Sequence, residues 1–175
     1  MNKAMYDSYI KAFRWATDRL NQKEGGIIGF VTNGSWLDGN TTAGFRLSIE
    51  REFSTIYVFN LRGNQRTSGE LSRKEGGKIF GSGSRTPIAI TILVKHPDKP
   101  ANEKAKIFYH DIGDYLTREQ KLTKVKAFGD ITHPTMLWKT ISPNEQGDWI
   151  SHRNEMFSSF IPLDSDKRSK QKDGY

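Results

Sequence analysis

Helical and strand-like patterns alternate over the first sixty residues, and this alternation constrains the fold more than any other feature of the sequence. Apolar residues recur at helical spacing over residues 6–20, within an amphipathic pattern that starts at Lys3 and corresponds to a helix of about five turns, and again over residues 41–53. Each helical pattern is followed by a β-branched run, at 26–32 and at 54–61. The first of these runs is apolar on both faces, which is typical of a strand in the middle of a sheet. The alternation predicts an α/β protein, with a layered sheet of parallel neighbours and helices on its faces.

Further elements follow an interruption at residues 62–85. The run Ile88–Val94 is the most apolar in the chain and predicts another central strand, and residues 106–110 predict one more. Residues 118–126 predict a short charged helix. Beyond residue 128 no clear period survives, and the hydrophobic side chains are scattered: Trp138, Ile141, Trp149, Met156, Phe157, Phe160 and Ile161.

The interruption combines six glycines with six basic residues and only two acidic ones, so residues 62–85 form a predicted long loop of local charge +4. The whole chain has a net charge of +7, which suggests a polyanionic partner. A basic, glycine-rich loop can approach phosphates closely and is predicted to bind nucleic acid, although a solvated, mobile loop is the alternative. The predicted nucleic-acid-binding residues are Arg62, Arg66, Arg73, Lys74, Lys78 and Arg85.

Composition and motifs exclude several classes of protein. Because the chain has no cysteine, it has no disulfide, no thiolate zinc site and no cysteine nucleophile, and a reducing compartment is expected. Its four histidines have no partner three or four residues away, so no metal site is predicted. Nucleotide-binding fingerprints and a nucleophile elbow are missing, and no catalytic residue is predicted. No apolar run is long enough for a membrane span, which predicts a soluble, cytoplasmic protein without a membrane partner.

Residues 6–46, taken as one unit, carry a series of motifs in a fixed order. A helix with aromatic residues at three positions precedes a Gly-Gly strand that leads into Ser-Trp-Leu, and a helix with Phe-Arg follows. This order resembles the gamma class of adenine-N6 DNA methyltransferases, although Asn33 and Gly34 stand where proline and asparagine are usual in that family. Four later stretches resemble the methylase portion of large single-polypeptide restriction-modification enzymes, at residues 63–67, 78–88, 149–154 and 160–163. The resemblance spans about residues 5–165, through motifs that are individually loose but jointly specific.

The resemblance implies a partial Rossmann-like methyltransferase sheet, in which an antiparallel strand at about 87–95 joins the parallel ones. It also implies that the parent enzyme uses S-adenosylmethionine as cofactor and DNA as partner. Neither the glycine loop that holds this cofactor nor the catalytic Asn-Pro-Pro-Tyr occurs in the sequence. The chain is therefore expected to be the later half of the catalytic domain, to act with the remaining domains of the parent polypeptide, and to be inactive and free of cofactor by itself.

The same resemblance suggests one residue that contacts the target base. The family forms one wall for the flipped adenine from the loop before the antiparallel strand, which corresponds to residues 79–86. Phe80 is the only aromatic residue there and is the base-stacking candidate, whereas a phenylalanine folded back on the sheet edge is the alternative. The helix with Tyr6, Tyr9 and Phe13 resembles one that closes over the cofactor's adenine, and core packing explains the same pattern.

The predicted organisation has three parts: residues 1–128 as the later half of the catalytic domain, 129–165 as an irregular lead-in to a target-recognition region, and 166–175 as a polar, disordered tail. Two other functions also fit the residues. One is a freestanding, non-enzymatic nucleic-acid-binding α/β module, which would unfold cooperatively as a monomer. The other is a protein-interaction domain that docks through the Trp138–Phe160 region, and burial of those rings within their own chain would count against it.

Overall fold

The computed structural model describes residues 7–21, 23–81 and 84–152, which form one mixed sheet with helices on its faces. The helices are α1 (Ser8–Thr17), α2 (Ala43–Glu52), α3 (Gly69–Glu75) and α4 (Arg118–Phe128), and the strands are β1 (Gly26–Asn33), β2 (Thr55–Arg62), β3 (Ile88–Lys95), β4 (Lys106–Asp111) and β5 (Lys139–Ile141). Two short 3-10 turns join β1 to α2, at Gly34–Leu37 and Asn40–Thr42. The predicted strands and helices are present, α1 is shorter than predicted, and α3 and β5 are additional.

The strands lie in the order β1-β3-β2-β4-β5. β3 is antiparallel to both β1 and β2, and Leu93 pairs with Ile28 on one side and with Ile56 on the other. β2 and β4 are parallel, and β5 is antiparallel to β4. This arrangement confirms the antiparallel strand predicted at about 87–95. The prediction of parallel neighbours holds only for β2 and β4, because the reversed β3 separates β1 from β2, which run in the same direction.

β1 is an edge strand of the described sheet, and its prediction as a central strand is wrong. Ile28 and Thr32 are buried, whereas the alternate side chains of Ile27 and Val31 are 68% and 53% exposed. A strand that is apolar on both faces normally lies between two covering layers. Within the described part of the chain, only one of its faces has such a layer.

Hydrophobic clusters lie on both faces of the sheet. On the first face, which carries Ile28 and Leu93, helices α1 and α2 pack through Phe13, whose ring centroid is 5.1 Å from that of Phe30. On the second face, which carries Phe59 and Ile88, α4 and the segment after it supply the cover. That second cluster includes Val125, Phe128, Met136 and Trp138. The cover of the second face therefore lies over β2 and β4 rather than over β1.

Helix α2 also brings two buried polar side chains into the first cluster. Arg46 is only 1% exposed, and one of its guanidinium nitrogens is 3.6 Å from a carboxylate oxygen of Asp148. Its guanidinium also donates to the backbone carbonyls of Trp36, Gly39 and Gly147. One turn later, Glu50 accepts a hydrogen bond of 2.6 Å from the indole Nε1 of Trp149. These bonds fix the segment that contains Asp148 and Trp149 against α2.

The described residues beyond α4 pack onto the same sheet. β5 pairs with β4, Trp138 packs against the second cluster, and Trp149 is buried in the first. This burial counts against a domain that docks through these rings, although Phe160 and the predicted polar tail lie outside the described residues. The predicted division of the chain at residues 128 and 165 stays a prediction. Among the helices of the described ranges, none has both the length and the apolar character needed to cross a membrane.

Candidate nucleic-acid interface

Three strands end at the same edge of the sheet, because β1 and β2 run in the same direction and β4 is parallel to β2. A cavity of about 570 Å³ opens there, between the turn after β1, the ends of β2 and β4, and part of α3. In α/β proteins, ligands bind in crevices beyond the carboxyl ends of the strands. We call this space the carboxyl-end cavity.

The polar side chains at and just beyond the ends of β2 and β4 bond to one another in the carboxyl-end cavity. Arg62 Nε lies 2.7 Å from Asp111 Oδ1, and Arg62 Nη1 contacts the carboxylate of Asp114. The Tyr109 hydroxyl accepts from Asn60 Nδ2 at 2.9 Å and donates to Asp111 Oδ2 at 3.0 Å. Burial opposes the charged form of Arg62, but the hydrogen bonds and charges of Asp111 and Asp114 outweigh it and raise the pKa of Arg62. Burial also raises the pKa of Tyr109 well above its ordinary value, so its hydroxyl stays protonated.

Two of the predicted nucleic-acid-binding residues, Arg62 and Lys74, line this cavity. Arg62 has a φ of 55°, in the left-handed region that arginine rarely adopts. This conformation coincides with a register shift in the pairing of β2 with β3 between Asn60 and Arg62, and the ion pairs with Asp111 and Asp114 direct the guanidinium toward the end of β4. The structure thus gives Arg62 a role in joining β2 to the end of β4, and its contact with nucleic acid stays a prediction.

The segment 62–85 contains α3, so the prediction of a long loop is wrong for that stretch. The end of α3 packs against the start of α4 through two glycines. A Cβ on Gly76 would lie 2.2 Å from the carbonyl oxygen of Leu116, and one on Gly77 would lie 2.4 Å from the backbone nitrogen of Arg118. Both positions therefore require glycine because of close packing, and the glycine content of the segment does not by itself indicate mobility.

Lys121 of α4 binds the same segment through its side-chain amine. Its side chain is fully buried, and Nζ donates to the backbone carbonyls of Glu75 and Gly77, each at 2.7 Å. Burial lowers the pKa of Lys121 to about 8, although the charge of Glu75 acts in the opposite direction. The conformation of the basic segment thus depends on a buried amine that the sequence pattern did not single out.

Raising the pH is expected to stabilise the folded chain through Lys121. Its pKa of about 8 in the folded state lies below the ordinary value of 10.5, so the unfolded chain binds more protons between these two values. The free energy of unfolding should therefore rise with pH across that window. Urea unfolding at about pH 7.5, 8.5 and 9.5 measures this slope, and the Lys121→Met variant should have a smaller one. Equal slopes in the two proteins would contradict the assignment.

Of the other predicted cations, Arg66, Arg73 and Arg85 are exposed, whereas Lys74 and Lys78 are half-buried. Arg73 forms an ion pair of 2.6 Å with Glu70 on α3, and Arg85 Nη2 donates to the backbone carbonyl of Gln65 at 2.9 Å. Exposed ion pairs contribute little and are screened by salt, so these side chains remain accessible to a polyanion. The segment carries three more predicted cations, namely Arg66, Lys74 and Lys78. Nucleic-acid binding by this set stays a prediction.

Phe80 stands at the end of this basic segment with its side chain 51% exposed, next to the buried Ile79. About half of the side chain is therefore accessible to solvent. An exposed ring beside accessible cations has the geometry needed to stack on a nucleobase. Base stacking by Phe80 stays a prediction.

Asn60, Tyr109 and Asp111 are absent from the residues predicted from the sequence. A signal for them exists, because polar residues stand at the ends of two apolar runs, and such ends meet at one sheet edge when the strands are parallel. What the sequence does not contain is the pairing of β2 with β4, on which this meeting depends. Within the described ranges, no group of three or more histidine, aspartate or glutamate side chains could hold a metal ion.

No family model and no curated protein matches the chain. Among solved structures, a nuclease-deletion mutant of the Type ISP restriction-modification enzyme LlaGI, in complex with a DNA substrate mimic, is 53% identical over 91% of this chain and 12% of that one, with a TM-score of 0.79. The ATP-dependent Type ISP restriction-modification enzyme LlaBIII, bound to DNA, is 40% identical over 100% of this chain and 11% of that one, with a TM-score of 0.85. DrdV, in a complex with DNA, is 34% identical over 97% of this chain and 16% of that one, with a TM-score of 0.76. The chain is thus similar in sequence and structure to a segment of Type ISP restriction-modification enzymes, and it spans between 11% and 16% of the three chains compared.

Proposed function

We propose that this chain is the later half of the catalytic domain of an adenine-N6 DNA methyltransferase within a restriction-modification enzyme. The chain supplies part of the sheet and a DNA-facing basic surface, and it transfers no methyl group by itself. Support comes from the methyltransferase-like motifs of its sequence together with its 53% and 40% identity to segments of two Type ISP enzymes. The proposed partners are DNA and the remaining domains of the parent, and the proposed compartment is the cytoplasm.

The observation that carries this proposal is the uncovered side of β1. On the second face, Ile27 and Val31 are exposed, and the outer edge of the strand has no strand partner among the described residues. Apolar strand edges pair readily with other chains, so proteins normally cover them. A strand and a helix from an earlier part of the same domain would cover both the edge and these side chains. A freestanding module would leave them in water, which disfavours that alternative.

S-adenosylmethionine would supply the methyl group in the parent enzyme. Proteins commonly hold the ribose hydroxyls of such ligands with a carboxylate. Among the described residues, the four carboxylates that line the carboxyl-end cavity are already engaged: those of Asp111 and Asp114 by Arg62, that of Asp38 by Ser151, and that of Glu75 by the backbone N–H of Asn64. This cavity therefore does not fit the cofactor. We therefore assign cofactor binding to parts of the parent enzyme other than this cavity.

A segment exchange tests the proposal directly. The matching segment of LlaBIII, which is 40% identical, is replaced by this chain to give a hybrid enzyme. Transfer of a labelled methyl group from S-adenosylmethionine to duplex DNA is then measured, with identification of the modified base. We expect the hybrid to form N6-methyladenine and the isolated chain to form none.

Two controls make the outcome decisive. A LlaBIII variant that lacks the segment should be inactive, and a hybrid with the segment of LlaGI, which is 53% identical to this chain, should be active. Methyl transfer by the isolated chain would contradict the proposal. So would a soluble, folded hybrid that still binds DNA and S-adenosylmethionine but modifies no adenine while the LlaGI control does.

A further inference from the structure

A second pocket, of about 260 Å³, lies where β1 ends and α1 begins. Three segments that are distant in the sequence converge on it, and one of them is the basic segment. Its polar lining residues are Asp7, Tyr9, Asn33, Ser35, Thr41, Thr42 and Arg66. We call it the β1-end pocket.

The β1-end pocket shares Ser35 with the carboxyl-end cavity and differs from it in the state of its guanidinium and phenol donors. In the cavity, the guanidinium of Arg62 and the hydroxyl of Tyr109 are bonded to neighbouring side chains. In the pocket, the Arg66 guanidinium and the Ser35 and Tyr9 hydroxyls have no hydrogen-bond partner within residues 7–21, 23–81 and 84–152. These donors are therefore available to a ligand.

Among the described residues, the only carboxylate in the lining of the β1-end pocket belongs to Asp7, and it is engaged. Asp7 caps α1 by accepting the backbone N–H of Tyr9 at 2.8 Å. The side-chain oxygen of Asn33 is engaged in the same way by the backbone N–H of Ser35, also at 2.8 Å, and the Asn33 amide nitrogen has no hydrogen-bond partner among the described residues. One guanidinium, two hydroxyls and an amide, with the one carboxylate engaged, form a donor set suited to an anion with several oxygens.

We propose that the β1-end pocket binds a phosphate group, and that this group belongs to the DNA backbone, with Arg66 as its charged ligand and Ser35 and Tyr9 as hydroxyl donors. The inference rests on the proposed function and deepens it by naming one contact point of the DNA. Contacts of arginine, serine and tyrosine with backbone phosphates fix the register of a protein on a duplex. Arg85 lies close to this position, because its Nη2 donates to the backbone carbonyl of Gln65, the residue before Arg66, so a duplex bound here would also pass Arg85.

The test compares Arg66→Ala with Arg51→Ala in the 175-residue chain, by titration of a labelled duplex over a range of salt concentrations. Arg51 is exposed at the end of α2, near the start of β2, and therefore lies at the opposite end of the strands from the pocket. Its removal makes the same change in net charge as the removal of Arg66. Loss of one phosphate contact should weaken binding about tenfold at low salt and reduce the slope of log affinity against log salt by about 1. Ser35→Ala should weaken binding about threefold, and Arg51→Ala should leave affinity and slope nearly unchanged.

Two further measurements distinguish a DNA phosphate from the phosphate of a nucleotide and exclude a folding defect as the cause of weaker binding. ATP is titrated against the same proteins, and binding of ATP that depends on Arg66, with duplex affinity unchanged, would overturn the assignment to DNA. Thermal unfolding should be the same for all variants, since both arginines are exposed. Equal duplex affinities and salt slopes for Arg66→Ala and the unaltered chain, or no duplex binding at all, would overturn this inference, whereas methyl transfer by the hybrid enzyme decides the proposed function separately.

Discussion

Replacing Arg46 with methionine should lower the free energy of unfolding by about 3–5 kcal/mol. The side chain is 1% exposed, and its removal leaves the buried carboxylate of Asp148 without its cationic partner. Breaking one side of a buried ion pair costs more than the pair contributes, because the remaining charge stays in a region of low dielectric. Three backbone carbonyls also lose a donor, namely those of Trp36, Gly39 and Gly147.

Urea unfolding followed by tryptophan fluorescence measures this effect. Arg51→Met is the matched control, because it makes the same substitution in the same helix at an exposed position and should change stability by less than about 0.5 kcal/mol. The double variant Arg46→Met with Asp148→Asn should recover part of the loss, because it removes the unpaired charge. A cost below about 1 kcal/mol for Arg46→Met would show that water or another group replaces the guanidinium.

The effect of Arg46 should extend to the β1-end pocket. The same guanidinium holds the turn after β1 through the carbonyls of Trp36 and Gly39, and this turn carries Ser35. It also holds Gly147, two residues before the buried Trp149. A residue of helix α2 therefore ties together segments that are a hundred positions apart, and its loss should disturb both the core and the proposed phosphate site.

Local patterns predicted much of the fold because the elements are local. The apolar runs gave the positions of β1 to β4, since each run alternates or is continuously apolar over the length of a strand. The charged stretch at 118–126 predicted α4 in spite of its weak periodicity, and the structure adds a capping box that Thr117 and Gln120 form at its start. β5 was not predicted because it has only three residues, too few for a pattern to be recognised.

Pairings and polar networks were harder to predict because they depend on residues distant in the sequence. Nothing local indicates that β3 reverses and lies between β1 and β2, and only the family resemblance predicted its antiparallel direction. Likewise, the six basic residues of 62–85 have equal weight in a charge count. The structure distinguishes them. Arg62 forms ion pairs with Asp111 and Asp114 at the end of β4, whereas Arg66 forms no ion pair with any described residue.

The apolar pattern of β1 illustrates how a sequence can describe a larger structure than the chain itself forms. Ile27 and Val31 are apolar where an edge strand of a complete protein would normally carry polar or charged side chains. On the second face they continue the row of Ile92 and Ile90 of β3, which pair with Gly29 and Val31 and line a groove of about 370 Å³. The prediction of β1 as a central strand was wrong for the described sheet. We propose that β1 is a central strand in the complete domain of the parent enzyme.

The double substitution Ile27→Lys and Val31→Lys should abolish methyl transfer by the hybrid enzyme while leaving the isolated chain folded. Both side chains are exposed in the isolated chain, so lysine there meets water and should change its stability by less than about 1 kcal/mol. If an earlier strand and helix of the domain cover this side of β1, the same lysines become buried without a partner, which costs several kcal/mol for each charge. Lysine at a strand edge also opposes pairing directly.

The matched control places two lysines at exposed apolar positions away from β1. Leu122→Lys in α4 and Leu137→Lys before β5 make the same change in charge and hydrophobicity. The hybrid with these substitutions should keep its methyl-transfer activity, and circular dichroism with urea unfolding should show that both double variants of the isolated chain are folded. Full activity with lysine at positions 27 and 31 would mean that this side of β1 faces water in the parent as well. The open edge would then be a property of the complete enzyme, and the chain would no longer be half of a catalytic sheet.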